Sequence, residues 1–193
     1  MTATVQIENS HLRVRLEIRR RLCRQLGEPL AVLDCCAAGG AVWSALRAEL
    51  EVAAYLPIDL KPQLPATLRA DSRAILSHMD ISRFNVIDID TFSEPWDHWL
   101  RLAPRIARRL AVFLTHGHVA AGGGNLSHLA REAMGLPARW QIPLGPALIR
   151  FSGSYCLSRG CEKLTIHHCM RWTSARVDYW GLIVAPKTGK GKA

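Results

Sequence analysis

The stretch that decides the fold is Ala31-Val32-Leu33-Asp34-Cys35-Cys36-Ala37-Ala38-Gly39-Gly40-Ala41-Val42-Trp43-Ser44. Its first four residues are an apolar run closed by an acid. The run is too short for a helix, is punctuated upstream by Glu28-Pro29, and reads as a buried strand. Small residues fill every position from Ala37 to Ala41. A strand that passes through such a loop straight into a helix leaves backbone N–H groups at the helix N-terminus open to the polar groups of a ligand. The stretch reads as a nucleotide-type cradle. A plain strand-to-helix turn has the same local pattern.

Working outward, further strands are predicted to end in acids. Residues 51–58 read as a second strand that closes on Asp59-Leu60. Asp59 lies where a βαβ unit brings an acidic side chain to the edge of the neighbouring strand, within reach of ribose hydroxyls. A solvated turn before Pro62 is the alternative. Residues 66–70 read as a short third strand followed by Asp71-Ser72, a helix-capping pair that opens the segment 73–79. Residues 84–90 read as the fourth strand, running into Thr91-Phe92-Ser93-Glu94-Pro95-Trp96. In a doubly wound sheet this strand lies beside the first, so the Gly39, Asp59 and Asp90 regions are expected to open on one crevice, with four acids, Asp34, Asp59, Asp71 and Asp90, ending four successive strands and gathering around one ligand. A fifth strand over 110–115 ends at His116-Gly117-His118, with His116 a candidate pocket residue.

The order Asp34-x-x-x-x-Gly39-Gly40 resembles the glycine-rich motif of class I S-adenosylmethionine-dependent methyltransferases, with Cys36 and Ala38 where that family most often has glycine. The resemblance implies a Rossmann-like, doubly wound, seven-stranded α/β sheet with a C-terminal antiparallel β-hairpin, here residues 163–172 and 176–185. It implies S-adenosylmethionine as cofactor, held by Asp34, Cys36, Ala38, Gly39, Gly40, Asp59 and Leu60, with Asp71 and Ser72 at the adenine. An N-cap explains Asp71 equally well. Ile87-Asp88-Ile89-Asp90-Thr91-Phe92-Ser93 is similar to the Asp-x-Asp-Pro-Phe-Gly motif of tRNA guanine N2-dimethyltransferases and, more distantly, to that of other amino-group methyltransferases. That likeness implies Asp90, with Asp88, as catalytic acceptor of the target amine and Phe92 as the ring that stacks on the base. Thr91, Ser93, Trp96 and His116 would complete the substrate site. Thr91 replaces the motif's proline and removes the rigid turn it enforces. Phe92 and Trp96 would equally serve as an apolar cap on the next helix.

The rest of the chain fits one domain. Residues 1–27 are expected to carry a basic helix of that domain, 28–185 its main body, and 186–193 a disordered basic tail. The helix, over 9–27, has an apolar stripe at Val14, Ile18, Leu22 and Leu26. Asn9 or Ser10 is its expected cap, and Arg13, Arg15, Arg19, Arg20, Arg21 and Arg24 form its basic surface. Further helices are expected over 41–50, 94–109, 126–134 and 145–157, with Gly122-Gly123-Gly124-Asn125 as a linker. An apolar fraction of 49% excludes a disordered chain, and no apolar run approaches membrane-spanning length. No secretory leader pattern is present, so a cytoplasmic protein is expected. A formal charge of +9 points to a polyanionic partner, nucleic acid first; oligomeric state is left open.

Six cysteines without a framework spacing are expected to be reduced. His116 and His118 lack a third ligand nearby in sequence. Cys156, Cys161, His167, His168 and Cys169 lack a convincing zinc spacing, so no metal is expected. Three other readings compete, the first being a methyltransferase of the same fold that acts on a small molecule or a protein. A nicotinamide-dependent oxidoreductase would also use Asp59, but the Gly-x-Gly-x-x-Gly fingerprint is missing. A binding module that keeps the fold without turnover would accommodate the altered residues at 36, 38, 91 and 93.

Overall fold

In the computed structural model, residues 11–63, 67–91, 94–118, 126–137, 146–174 and 176–188 are described. The chain runs through α1 (Leu12–Arg24), β1 (Leu30–Asp34), α2 (Ala41–Leu46), β2 (Val52–Asp59), β3 (Leu68–Arg69), α3 (Ser72–His78) and β4 (Val86–Ile89). It continues through α4 (Trp96–Leu102), β5 (Leu110–Gly117), α5 (His128–Ala133), α6 (Pro146–Gly160), β6 (Leu164–Thr173) and β7 (Val177–Pro186). The strands form one seven-stranded sheet in the order β3-β2-β1-β4-β5-β7-β6. Strands β1 to β5 pair in parallel, and β7 runs antiparallel to both β5 and β6.

That order follows from the sequence pattern. The apolar runs of β1, β4 and β5 are buried along almost their whole length, as strands covered by helices on both faces must be. The chain order reverses between β1 and β4, so the crevice outside their carboxyl ends is the natural ligand site. One face of the sheet packs Trp96, Trp99 and Leu102 of α4 with Cys156 and Leu157 of α6 against Ile87, Val112 and Leu182. The other packs Ile18, Leu22 and Cys23 of α1 and Trp43 of α2 against Val32, Phe113 and Ile183.

Several boundaries differ from expectation for identifiable reasons. The helix expected over 94–109 stops at Leu102 and tightens into a 3-10 turn at Ala103–Arg105, because Pro104 lacks the N–H that an α-helix needs there. The third strand is reduced to Leu68–Arg69, and α2 ends at Leu46. His11 precedes α1 and makes no side-chain cap; Asn9 and Ser10 lie outside the described residues, as do the linker at 122–125 and the tail from 189. The basic surface of α1 requires correction: Arg19 is 2% exposed and belongs to the core. All six cysteines are free thiols. Among the described residues, no helix is long and apolar enough to cross a membrane.

The seating of α1 depends on Gly181 of β7. A Cβ there would stand 2.5 Å from Ile18 Cγ2 and 2.6 Å from Leu22 Cδ1. Ile18 Cγ2 sits on a β-branched carbon whose χ1 is restricted in a helix, so Gly181→Ala should lift α1 from the sheet and destabilise the protein by about 1–3 kcal/mol. Urea denaturation measures this as a lower midpoint at unchanged slope.

Candidate functional site

The carboxyl ends of β1, β2 and β4 open on a cavity of about 1280 Å³. A single drug-sized ligand typically occupies a cleft of roughly 300–1,000 Å³, so two reactants fit. Cys36, Ala37, Ala38, Gly39 and Gly40 line it together with Asp34, Asp59, Asp88, Asp90 and Thr91.

The loop after β1 is shaped by backbone geometry. Cys35 N–H donates to Asp88 O at 2.8 Å, Ala37 N–H to Ile58 O at 3.0 Å, and Gly40 N–H to Ala37 O at 2.7 Å. Gly40 is left-handed at φ 67°, and Ala38 stands at φ 44°, where only glycine is free of Cβ strain. The strained alanine is clamped by Asp59, whose Oδ2 accepts from Ala38 N–H at 2.9 Å while Oδ1 accepts from Lys61 N–H at 2.8 Å. Each carboxylate oxygen retains a lone pair beyond these bonds. A Cβ on Gly39 would come within 3.3 Å of Gln63 Oε1.

Beneath the loop, Asp34 and Asp88 face each other in register on adjacent strands. Asp88 is held by a buried fork: Arg19 Nε donates to Oδ2 and Nη2 to Oδ1, both at 2.7 Å, and Trp43 Nε1 also donates to Oδ2 at 2.7 Å. Asp34 accepts from Tyr55 Oη at 2.8 Å. Burial first, then the Asp88 charge, pushes the Asp34 carboxyl up to about 7. Asp90, a largely buried residue of the cavity wall, is bonded by Arg15 Nη2, with Arg19 Nη2 3.8 Å away.

No protein-family model matches the sequence, and no curated protein does either. Among solved structures, Trm1 from Pyrococcus horikoshii, in complex with S-adenosyl-L-methionine, is similar with a TM-score of 0.60 at 16% identity, over 91% of this chain and 56% of that one. The plantazolicin methyltransferase BamL, in complex with a triazolic desmethylPZN analog and SAH, is similar with a TM-score of 0.50 at 10% identity, over 93% of this chain and 86% of that one. The chain has the class I methyltransferase fold. At these identities the likeness is one of fold, and the chain spans little more than half the length of Trm1.

Within that methyltransferase fold, the structure brings together most of the residues singled out in the sequence but not all. Leu60 points outward at 58% exposure, and Asp71 caps α3 while pairing with Arg73, so neither lines the cavity. Ser72 is buried against His98 Nε2 at 2.9 Å. Trp96 is fully buried in the core, packed edge-on against His116, and serves as no platform at the mouth. The reason is α6, which presses Gly153 so close that a Cβ there would meet both Trp96 and His116. Burial pushes the His116 imidazole down to about 4, so it is neutral at physiological pH. Thr91 Oγ1 donates to Thr115 O at 3.2 Å, bracing β4 against β5. Phe92 and Ser93 lie outside the described residues.

Sequence reasoning placed Arg15 and Arg19 on a basic surface and missed them as partners of Asp90 and Asp88. Their spacing of four beside the apolar stripe of α1 was the available signal. Asp178 of β7 was also missed, although it meets His116 and His118 across the sheet. Its Oδ2 bonds His118 Nε2 at 2.8 Å and Arg171 Nη2 at 3.1 Å, so a guanidinium already supplies positive charge there.

The residues present fit an adenosyl donor that carries an ammonium and a sulfonium. Asp59 offers remaining carboxylate lone pairs beside the left-handed turn, and Asp34 lines the same cavity as a carboxyl that a cation beside it would ionise. Two outcomes follow from the buried acids. Asp34 binds its proton more tightly folded, at about 7, than unfolded, at 3.8. Its contribution to stability is therefore full below pH 4 and is lost as the pH rises through 7. Asp34→Asn stays neutral at every pH, so wild type should lose stability relative to Asp34→Asn as the pH rises over that window, followed by urea titration. Arg19→Met leaves Asp88 buried without a counter-charge and should cost about 3–5 kcal/mol, most of which Arg19→Met with Asp88→Leu recovers.

Proposed function

We propose that the protein is an S-adenosylmethionine-dependent methyltransferase acting on an exocyclic amino group of a nucleic-acid base. The observation that carries this reading is the meeting of Asp34, Asp59 and Asp90 around a strained left-handed loop in one cavity large enough for two reactants. The fold and the order of these acids along the chain support it, as does the motif likeness around Asp90.

When bound, the donor supplies an activated methyl group. The chain does the rest by position and charge. Asp59 takes the donor's ribose hydroxyls with the lone pairs left after its backbone bonds, and the Ala38–Gly40 turn lets the amino-acid end approach the backbone. A conjugated amine is a poor nucleophile whose nitrogen gains positive charge during attack. Asp90 in the cavity wall accepts from that nitrogen and stabilises the charge. Asp88 acts behind it: its oxygens are occupied by Arg19 and Trp43, so it fixes the guanidinium that keeps Asp90 in place. The net charge of +9 favours a polyanionic substrate.

A second reading, a fold-preserving binding module without turnover, draws on one observation: Arg15 already occupies Asp90. Calorimetry and labelled methyl transfer separate the two. S-adenosylmethionine should bind and NAD should not. Asp59→Ala should weaken donor binding roughly ten-fold, the cost of a lost charge-assisted hydrogen bond. Asp90→Ala should abolish transfer to total RNA or DNA while leaving donor affinity nearly unchanged, and a fully active Asp90→Ala would overturn the catalytic assignment.

A further inference from the structure

The carboxylate that the proposed reaction needs is masked. Arg15 Nη2 is bonded to Asp90 Oδ2, and Arg19 Nη2 stands 3.8 Å from the same oxygen. Arg15 is itself incompletely satisfied, since its Nε is buried with no hydrogen-bond partner. Its side chain still reaches the cavity, where Arg176 and His11 also line the wall.

The placement of the Arg15 and Arg176 guanidiniums matters. Asp90 follows β4, Gly117 ends β5, and Arg176 immediately precedes β7, so the cationic wall lies over the β4-β5-β7 half of the sheet. The Ala38–Gly40 turn and Asp59 lie over β1 and β2. The donor cradle and the cationic wall therefore occupy opposite halves of one cavity, and the anion that the wall suits arrives with the acceptor.

We propose that Arg15, assisted by Arg176, binds a backbone phosphate of a nucleic-acid substrate and, in turning to it, uncovers Asp90 for the target amine. This deepens the reading of the site as an amino-group methyltransferase and rests on it. Arg15 meets Asp90 through Nη2, and a bidentate grip on a phosphate through both Nη atoms needs that same nitrogen, so Asp90 and the phosphate compete for it. Arg19 remains beside Asp90 when Arg15 leaves, so the uncovered carboxylate keeps a counter-charge. A free base without a phosphate would have to break the Arg15–Asp90 pair with nothing to replace it.

The test is binding of a fluorescently labelled single-stranded RNA oligonucleotide to the full chain saturated with S-adenosylhomocysteine, read by anisotropy over a salt series. Arg15→Gln should weaken binding about ten-fold and lower the salt slope by about one, and Arg15→Lys should restore the slope. Asp90→Asn, which frees Arg15, should tighten binding in the wild-type background and have no effect in Arg15→Gln. A neutral methylphosphonate oligonucleotide should lose the difference between wild type and Arg15→Gln. Equal affinity of wild type and Arg15→Gln for the phosphodiester probe would overturn the proposal. So would an Arg15→Gln defect confined to S-adenosylmethionine and absent with its decarboxylated analogue, since the anion would then be the donor's own carboxylate. Failure of wild type to bind S-adenosylmethionine at all is a different result and would remove the methyltransferase reading itself.

Discussion

The bond on which the site depends is the buried pair between Arg19 and Asp88. Arg19 meets both oxygens of Asp88 at 2.7 Å, stacks over the Phe113 ring at 5.1 Å, and donates to Arg15 O at 3.1 Å. Against a well-packed apolar pair such an arrangement contributes little net stability, because desolvation consumes most of the Coulombic gain. Its effect is directional. A planar fork that must meet two oxygens fixes the rotation of α1, and with it the direction in which Arg15 leaves the helix. Trp43 donates to the same carboxylate, so one acid ties α1, α2 and β4 together just beneath the loop that the donor would occupy.

The close approach of α1 to the sheet makes that pair attainable. Gly181 leaves no Cβ between β7 and the helix, so Ile18 and Leu22 sink onto the sheet and carry Arg19 down to Asp88. Packing on one face of a strand thus places a charge at the tip of another. On the opposite face the same device recurs at Gly153 and Gly160, whose missing side chains admit Trp96, His116 and Trp99 beneath α6.

These dependencies explain what the sequence disclosed and what it concealed. The strands were legible because burial on both faces demands unbroken apolar runs, and the acids that close them were legible because they stand where those runs stop. Asp34, Asp59 and Asp90 do line one cavity. Arg19 was concealed because its residue type speaks for solvent, and only an acid far along the chain, on β4, reverses that. Trp96 looked like a site aromatic for a similar reason: it sits on the first turn after a motif, and nothing local announces that α6 will cover it. Asp71 satisfies its own helix and Arg73, a purely local bond that competes with any longer reach. The stop at Pro104 was legible from the residue alone, yet the apolar periodicity through Ile106 outweighed it.

The register of the sheet also sets how charge is divided in the cavity. Asp34 and Asp88 are paired positions on parallel neighbours, and two carboxylates so placed in a dry environment cannot both ionise without a cation. Arg19 supplies one, and its fork meets Asp88. Asp34 is left with the Tyr55 hydroxyl and with burial, and it holds a proton up to about 7. The two acids therefore differ although their strands and positions are nearly equivalent. One is gripped by a guanidinium and holds the architecture, and the other has its carboxyl pushed up to about 7 by burial and by the neighbouring charge.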